Sequence, residues 1–288
     1  MVILGAHMSI AGGFDKAVER AAEEGCDCVQ IFTKNNNQWR AKAISPANVS
    51  AFRSALQKHG VGFPIAHASY LINLASPDPQ LWEKSVDGLA VELRRADQLG
   101  LPGLVVHPGS FTTSSETIGL GRVAAGLNEC FQRTGKLSTR CLLENTAGQG
   151  TNLGWRFEHL AVILSAIHEP AQMGICIDTC HAFAAGYGLR TARQYEQTMG
   201  ELAVTVGLKH VRAVHLNDSK RERGSRVDRH ENIGRGKLGI APFRQLLRDE
   251  RFSKIPMYLE TPKGIDESSG RSWDAVNLAR LRRLVPRD

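Results

Sequence analysis

Eight short apolar runs recur along the chain, each followed by a polar residue, a loop and then a stretch of helical periodicity. They are VILGA (2–6), CVQIFT (28–33), VGFPIA (61–66), GLVV (103–106), RCLLE (140–144), MGICID (173–178), VRAVHL (211–216) and PMYLE (256–260). A strand buried on both faces is nearly continuous in apolar residues, whereas a strand with one wet face alternates, so these runs read as parallel strands covered by helices. The intervening segments 14–25, 83–100, 156–167 and 243–252 carry apolar residues at i, i+3, i+4 and i+7, the stripe of an amphipathic helix. Gly25, Gly60 and Gly100 stand where helix C-caps are expected. Eight strand–helix repeats predict an α/β fold, a (β/α)8 TIM barrel rather than a sandwich, with a doubly wound open sheet as the structural alternative.

No linker, charge block or composition shift divides the 288 residues, so a single domain over residues 1–288 is expected. The start MVILGAHMSIAGGFDKA lacks a basic n-region and a long apolar core. Nowhere does the chain approach the ~20 uninterrupted apolar residues that cross a bilayer, so neither a membrane span nor a secretory signal is expected. The six cysteines lie mostly in the apolar runs and form no CxxC pair, which suits reduced thiols in a cytoplasm-like compartment. The net charge of +7 permits a polyanionic partner without demanding one.

In parallel α/β barrels the reactive groups sit at the C-terminal ends of the strands. The residues closing the eight runs are His7, Thr33, His67, His107, Glu144, Asp178, His215 and Glu260, and all but Thr33 can bind a metal. A single histidine at a strand end is usually a hydrogen-bonded packing residue. Seven ligand-type side chains on one rim would bring imidazoles and carboxylates together at a cost of several kcal/mol per buried charge unless a cation compensates. Two loops extend the set, Asp178-Thr-Cys-His181 after the sixth run and Asp228-Arg-His230 after the seventh. Five histidines and four carboxylates then suit two or three ions, Zn²⁺ first and Mn²⁺ or Fe as alternatives. His59, His159, His168 and His210 belong to helical stretches and read as packing or surface residues, and Cys180 reads as a spectator between two candidate ligands.

The stretch Gly234-Arg-Gly236-Lys-Leu-Gly239 fits GxGxxG, but it ends a polar loop and does not follow a strand, which argues against a dinucleotide site. No GxxxxGK[ST] loop and no HExxH helix occurs, so P-loop nucleotide hydrolysis and zincin proteolysis are unsupported. Residues 209–237 hold nine Lys and Arg against four Asp and Glu, so much of the basic excess sits in the loop that also carries Asp228 and His230. A basic loop over a metal site can hold phosphates beside it. Two further rim loops, KNNNQW (34–39) and ASYLINL (68–74), offer amides and aromatics suited to bases.

These residues carry a resemblance. GAHMSIAGG (5–13), IFTKNNNQW (31–39), HASYLINLA (67–75), HPGS (107–110), LLENTAGQG (142–150), GICIDTCHAFAAGY (174–187), HLNDSK (215–220), GSRVDRHENIG (224–234) and LETP (259–262) follow one another along nearly the whole chain. In them the chain resembles bacterial endonuclease IV, the metal-dependent apurinic/apyrimidinic endonucleases of base-excision repair. The resemblance implies three Zn²⁺ ions per chain. His67, His107 and Glu144 would hold the first, Glu144 would bridge to a second held by Asp178, His215 and Glu260, and His181, Asp228 and His230 would hold the third. It also implies hydrolysis of the phosphodiester 5′ to an abasic site in double-stranded DNA, leaving a 3′-hydroxyl and a 5′-deoxyribose phosphate, with trimming of blocked 3′ ends. A metal-bound hydroxide, its pKa lowered from about 15.7 toward ~7, would be the nucleophile, with Glu144 and Glu260 as the catalytic carboxylates.

DNA contacts are implied at Asn35, Asn37, Gln38, Tyr70, Leu71, Arg226 and Arg229, with Tyr70 and Leu71 in the wedge positions beside a flipped nucleotide. One position departs from the family: Asn37 stands where the inserted arginine belongs, which predicts weaker or differently salt-dependent DNA binding with the chemistry retained. The implied setting is the cytoplasm of a bacterium, at the nucleoid, and a monomer leaves the rim open to a duplex. Two other classes compete. A sugar isomerase or epimerase on a related two-metal barrel needs neither a basic loop nor Asp228-x-His230, and a non-catalytic DNA-binding or metal-storage protein does not call for an open multi-metal rim.

Overall fold

The structure, a computed structural model, describes residues 2–285, and the expected domain limits at 1 and 288 fall outside them. All eight apolar runs form strands: β1 (Leu4–Met8), β2 (Cys28–Phe32), β3 (Gly62–His67), β4 (Gly103–Val106), β5 (Arg140–Glu144), β6 (Met173–Asp178), β7 (Val211–His215) and β8 (Met257–Leu259). They pair in parallel in chain order and close into a barrel, with Leu4 opposite Met257 and Ala6 opposite Leu259 at the seam. A TIM barrel is therefore formed, and the open doubly wound sheet is excluded.

The expected helices form with shifted ends. Segment 14–25 becomes α1 (Phe14–Glu23), and α2 (Pro46–His59) follows β2. Segment 83–100 becomes α3 (Pro79–Leu99), which starts early because Asp78 caps it, accepting from Gln80 N and Leu81 N, and Pro79 opens the first turn. After α4 (Glu116–Thr134), segment 156–167 becomes α5 (Phe157–Ser165). Segment 243–252 divides into a helix, Ala241–Arg248, and a 3₁₀ turn, Glu250–Phe252, because the Asp249 carboxylate turns back to accept from Arg251 N. Gly60 and Gly100 are left-handed C-caps, while Gly25 lies one residue beyond the cap of α1.

Asp178–His181, expected as a loop, is the start of a helix, α6 (Thr179–Ala185). Asp178 ends β6 and caps α6 at once, its Oδ1 accepting from His181 N at 2.7 Å. An aspartate at this position satisfies a first-turn amide, and the cap starts the helix despite the weak helix formers Thr179, Cys180 and His181 that follow.

The interior is filled in layers. Cys28, Ile65, Val105, Leu142, Cys176, Ala213 and Tyr258 form an apolar plug inside the barrel, separate from the main core between strands and helices. Side chains alternate along a strand, so the residue two positions on faces the same lumen nearer the C-terminal rim. Those residues are Gln30, His67, His107, Glu144, Asp178, His215 and Glu260, and on β1 the same face reaches His7. The rim chemistry is the next layer above the apolar plug. Among the described residues no helix is long and apolar enough to cross a membrane.

Candidate metal centre

Glu144 lies at the centre, fully buried. Its carboxylate is 3.2 Å from His67 Nε2, 3.1 Å from His107 Nε2, 3.2 Å from His181 Nδ1 and 2.9 Å from His215 Nδ1. Burial alone would push its pKa up, but the charges of His215 and His107 hold it well below the usual carboxylate range. Glu260 behaves alike, burial opposing the lowering by His215 and His7. Burial lowers both imidazoles, but Asp178 and Asp228 raise His181, and Cys176, Glu260 and Glu144 raise His215, so both end well above the ordinary histidine value. Such a cluster requires compensating positive charge, whether from protons or from cations.

The imidazoles are oriented to coordinate. His67 Nδ1 lies 2.7 Å from Ala68 O, His181 Nδ1 2.9 Å from Asn145 O and His230 Nδ1 3.1 Å from Glu260 O. A carbonyl only accepts, so each of these Nδ1 atoms carries a proton in the neutral ring and the Nε2 lone pair is left free. The Nε2 atoms of His181 and His230 are buried, and neither makes an aligned hydrogen bond, although the Asp228 carboxylate lies close to both. Buried polar atoms are normally satisfied, and a cation would satisfy these.

Ligand-type atoms gather in three groups within 4.8 Å of one another: His67, His107 and Glu144; Glu144, Asp178, His215 and Glu260; and Asp178, His181 and His230. The first two coincide with the sets expected from the sequence. The third, expected as His181, Asp228 and His230, has Asp178 in place of Asp228. Asp228 approaches it, Oδ2 lying 3.1 Å from His181 Nε2 and Oδ1 3.4 Å from His230 Nε2. All nine expected ligands thus meet at one place.

Thr33 does not belong to this layer. It is buried beyond the end of β2, and its carbonyl is held by Arg95. Gln30 occupies the position instead, because the lumen face runs Cys28–Gln30–Phe32; counting in twos from Cys28 identifies it. His7 is close, its Nδ1 3.5 Å from Glu260 Oε1, but it joins none of the three groups. Asn217, which sequence reading passed over, donates to Asp178 Oδ2 at 2.6 Å and accepts from Glu260 N at 2.8 Å. Asn145 brackets the Asp178 peptide, accepting from its N–H at 2.7 Å and donating to its carbonyl at 3.1 Å. His159 is a buried packing residue on α5, and Cys180 is buried with its thiol pKa pushed up to about 12 by desolvation, consistent with the roles expected for them.

The metal-capable groups open into a cleft of about 700 Å³ whose wall includes Tyr70, Lys220, Asp228 and Arg229. Tyr70 is 59% exposed, its ring 5.3 Å from that of His67. Asn35, Asn37, Gln38 and Arg229 are exposed, and Leu71 is half-buried. Arg226 is committed elsewhere: it stacks on Trp155 with its guanidinium carbon 3.7 Å from the ring centroid. Trp39 packs against α3 beneath Lys84, and Asn73 is bonded to both backbone groups of Ser110, so neither is free to meet a base. The basic stretch 209–237 is not one loop over the site, because Lys209 and Arg212 lie at the N-terminal end of β7, opposite the rim. Lys220 and Arg229 continue into an adjoining cleft with Arg221, Arg235 and Lys237.

A family of xylose isomerase-like TIM barrels matches residues 18–280. The chain is similar to the probable endonuclease 4 of Chloroflexus aurantiacus, 50% identical over 281 residues that cover 98% of this chain and 97% of the relative. It is similar to the crystal structure of endonuclease IV from Thermus thermophilus with a TM-score of 0.86, at 40% identity and covering 98% of both chains.

The chain belongs to the endonuclease 4 family.

A D-tagatose 3-epimerase-like protein is similar with a TM-score of 0.73 at 21% identity, over 98% of this chain and 97% of its own, a likeness of fold alone. As an endonuclease 4 family member the chain is a hydrolase. The glycine-rich stretch 234–239 has an internal use in it. Amides of Gly234, Gly236, Leu238 and Gly239 donate to the Asp218 carboxylate at 2.9–3.3 Å, so the chain's own anion fills what would otherwise be a phosphate nest.

Proposed function

We propose that this protein is a metal-dependent DNA repair endonuclease that hydrolyses the phosphodiester 5′ to an abasic site in duplex DNA, leaving a 3′-hydroxyl and a 5′-deoxyribose phosphate. It also trims blocked 3′ ends, and it works in the bacterial cytoplasm as a monomer of one domain. The observation that carries this reading is the convergence of nine ligand-type side chains, Glu144 central among them, with imidazole Nε2 atoms facing inward, beneath a cleft whose wall holds Lys220 and Arg229.

His67, His107 and Glu144 would hold one Zn²⁺, Glu144, Asp178, His215 and Glu260 a second, and His181, Asp228 and His230 a third, with Mn²⁺ or Fe able to replace zinc. When bound, such ions lower the pKa of water and neutralise charge developing on phosphate oxygens. The chain's residues supply the rest. Glu144 and Glu260 would hold the attacking water and accept its proton. Lys220 and Arg229 draw the backbone phosphates to the cleft mouth. Tyr70 stands beside His67, and with Leu71, the next residue of the same loop, it would fill the gap left by a flipped abasic nucleotide, where extrusion is cheapest because pairing and stacking are already lost. Asn35, Asn37 and Gln38 present amides to the duplex, whereas Arg226 acts through the loop it anchors.

The test is a duplex with one tetrahydrofuran abasic analogue. One cut 5′ to the analogue with an extendable 3′-hydroxyl is expected, absent after chelation, restored by Zn²⁺ and absent in Glu144→Ala and Glu260→Ala. An intact duplex after metal reconstitution overturns the reading. Three ions per chain, against two or fewer for a sugar isomerase, is the independent check.

A further inference from the structure

Gln30 is the one uncharged amide in the layer of ligand-type residues above the apolar plug, and its side chain is completely buried. Its Nε2 lies 2.5 Å from Glu260 Oε1 and 2.9 Å from His7 Nδ1, and its Oε1 lies 2.8 Å from His215 Nε2. A carboxylate only accepts, so Glu260 decides which end of the amide faces it. The other end, a carbonyl oxygen, also only accepts. His215 therefore carries a proton on Nε2, and its Nδ1 faces Glu144 Oε1 at 2.9 Å and Glu260 Oε2 at 3.2 Å. One side chain thus settles the tautomer of a histidine and the aim of a carboxylate in the same group.

We propose that Gln30 is a positioning residue that pre-sets the Glu144, Asp178, His215 and Glu260 group to accept a divalent cation. The proposal rests on the metal-centre reading and deepens it. Leucine at this position would keep the volume but leave His215 Nε2 buried without a partner and Glu260 Oε1 with only the more distant His7 Nδ1, 3.5 Å away. Glutamate would keep an acceptor for His215 but replace the donor that Glu260 needs with a second negative charge. Outer partners of this kind are worth about 10–100-fold in metal affinity.

The experiment strips wild type, Gln30→Leu and Gln30→Glu of metal and titrates each with Zn²⁺ against a chelating indicator. Circular dichroism and thermal melts of the same samples report folding. Gln30→Leu is expected to weaken one class of sites by about 10–100-fold and leave the others unchanged. Cleavage of an abasic duplex should lose kcat at constant KM, since the cleft wall is untouched. Gln30→Glu should lose less zinc affinity than Gln30→Leu, because the His215 partner survives. Wild-type zinc affinity at every site in folded Gln30→Leu overturns the proposal alone. If Gln30→Leu does not fold, wild-type affinity in Gln30→Glu overturns it. A wild-type chain that takes up no divalent cation overturns both the functional reading and the proposal.

Discussion

Lys34 and Glu92 pair across 3.3 Å beneath two rim loops, with side chains only 4% and 1% exposed. Lys34 begins the 34–39 loop. Glu92, on α3, also accepts from Ser69 N at 3.0 Å, and Ser69 Oγ donates to Asn36 O at 2.5 Å. The pair therefore joins the loop bearing Asn35, Asn37 and Gln38 to the one bearing Tyr70 and Leu71. Removing one member of a buried pair strands the other charge, at a cost of about 3–5 kcal/mol. Lys34→Met should lose stability of that order in denaturant unfolding. Lys34→Met/Glu92→Gln should regain part of it, since the amide still accepts from Ser69. A double variant no more stable than Lys34→Met contradicts the assignment.

The same pair sets a pH dependence. Burial raises the Glu92 pKa above 4.5, against the lowering by Lys34 and the Ser69 amide. Between the ordinary and the raised value the folded protein binds more protons than the unfolded chain, so this group's contribution falls as pH rises through that window. Without Lys34 the window widens upward. The stability deficit of Lys34→Met should therefore shrink as pH is lowered from neutrality toward 4.5. Melts over a pH series decide it, and a deficit that grows on acidification refutes it.

Asn37 is exposed at the tip of its loop, its amide N–H held by Asn35 Oδ1 at 2.9 Å. Arginine there would add reach and one positive charge facing the duplex. Asn37→Arg should tighten binding of an abasic duplex, and one added phosphate contact should steepen the salt dependence by about 0.9 in log K against log salt. Unchanged affinity across the salt series would show that this position does not account for DNA binding strength.

Asp218 and Gly236 are mutually obligatory. A Cβ on Gly236 would collide with Ser219 O and sit 2.5 Å from Asp218 Oδ1. Gly236→Ala must push the loop off the carboxylate, and Asp218→Ala leaves its amides without their acceptor, so each should cost more than about 2 kcal/mol in unfolding. Because the nest is already filled, millimolar nucleotide should leave the melting temperature unchanged. A nucleotide-dependent rise would restore the dinucleotide reading of this stretch.

The loop carrying Asp228 is anchored at a distance from it. Arg226 stacks on Trp155, its amide donates to Ala184 O at 2.9 Å, and Asp228 N donates to Gln149 Oε1 at 3.1 Å. Trp155→Ala should weaken zinc binding by the His181, Asp228 and His230 group more than by the other two, with some loss of stability as well because the ring also meets Arg156 and His159. Zinc titration with thermal melts tests this, and unaltered zinc affinity counts against a clamp.

Much of this molecule was legible without coordinates. The eight runs and the helical stripes between them are local properties of hydrophobic period, and each run became a barrel strand. The nine ligand-type residues could be read as run endings and near neighbours because parallel barrels expose strand ends at one rim. What local pattern could not settle is which way each side chain points. That is decided by barrel closure and by the register of neighbouring strands, which bring together residues far apart in the chain. Closure put Gln30 in the ligand layer and left Thr33 outside it, bonded Gln30 to Glu260 across 230 positions, and gave the Asp218 carboxylate to a glycine-rich loop that resembles a nucleotide site. It turned Arg226 onto Trp155 and drew Asp178 into two groups at once. Residue chemistry is local and survives in the sequence, whereas hydrogen-bond direction, tautomer and the sharing of a ligand depend on contacts that exist only once the barrel has closed.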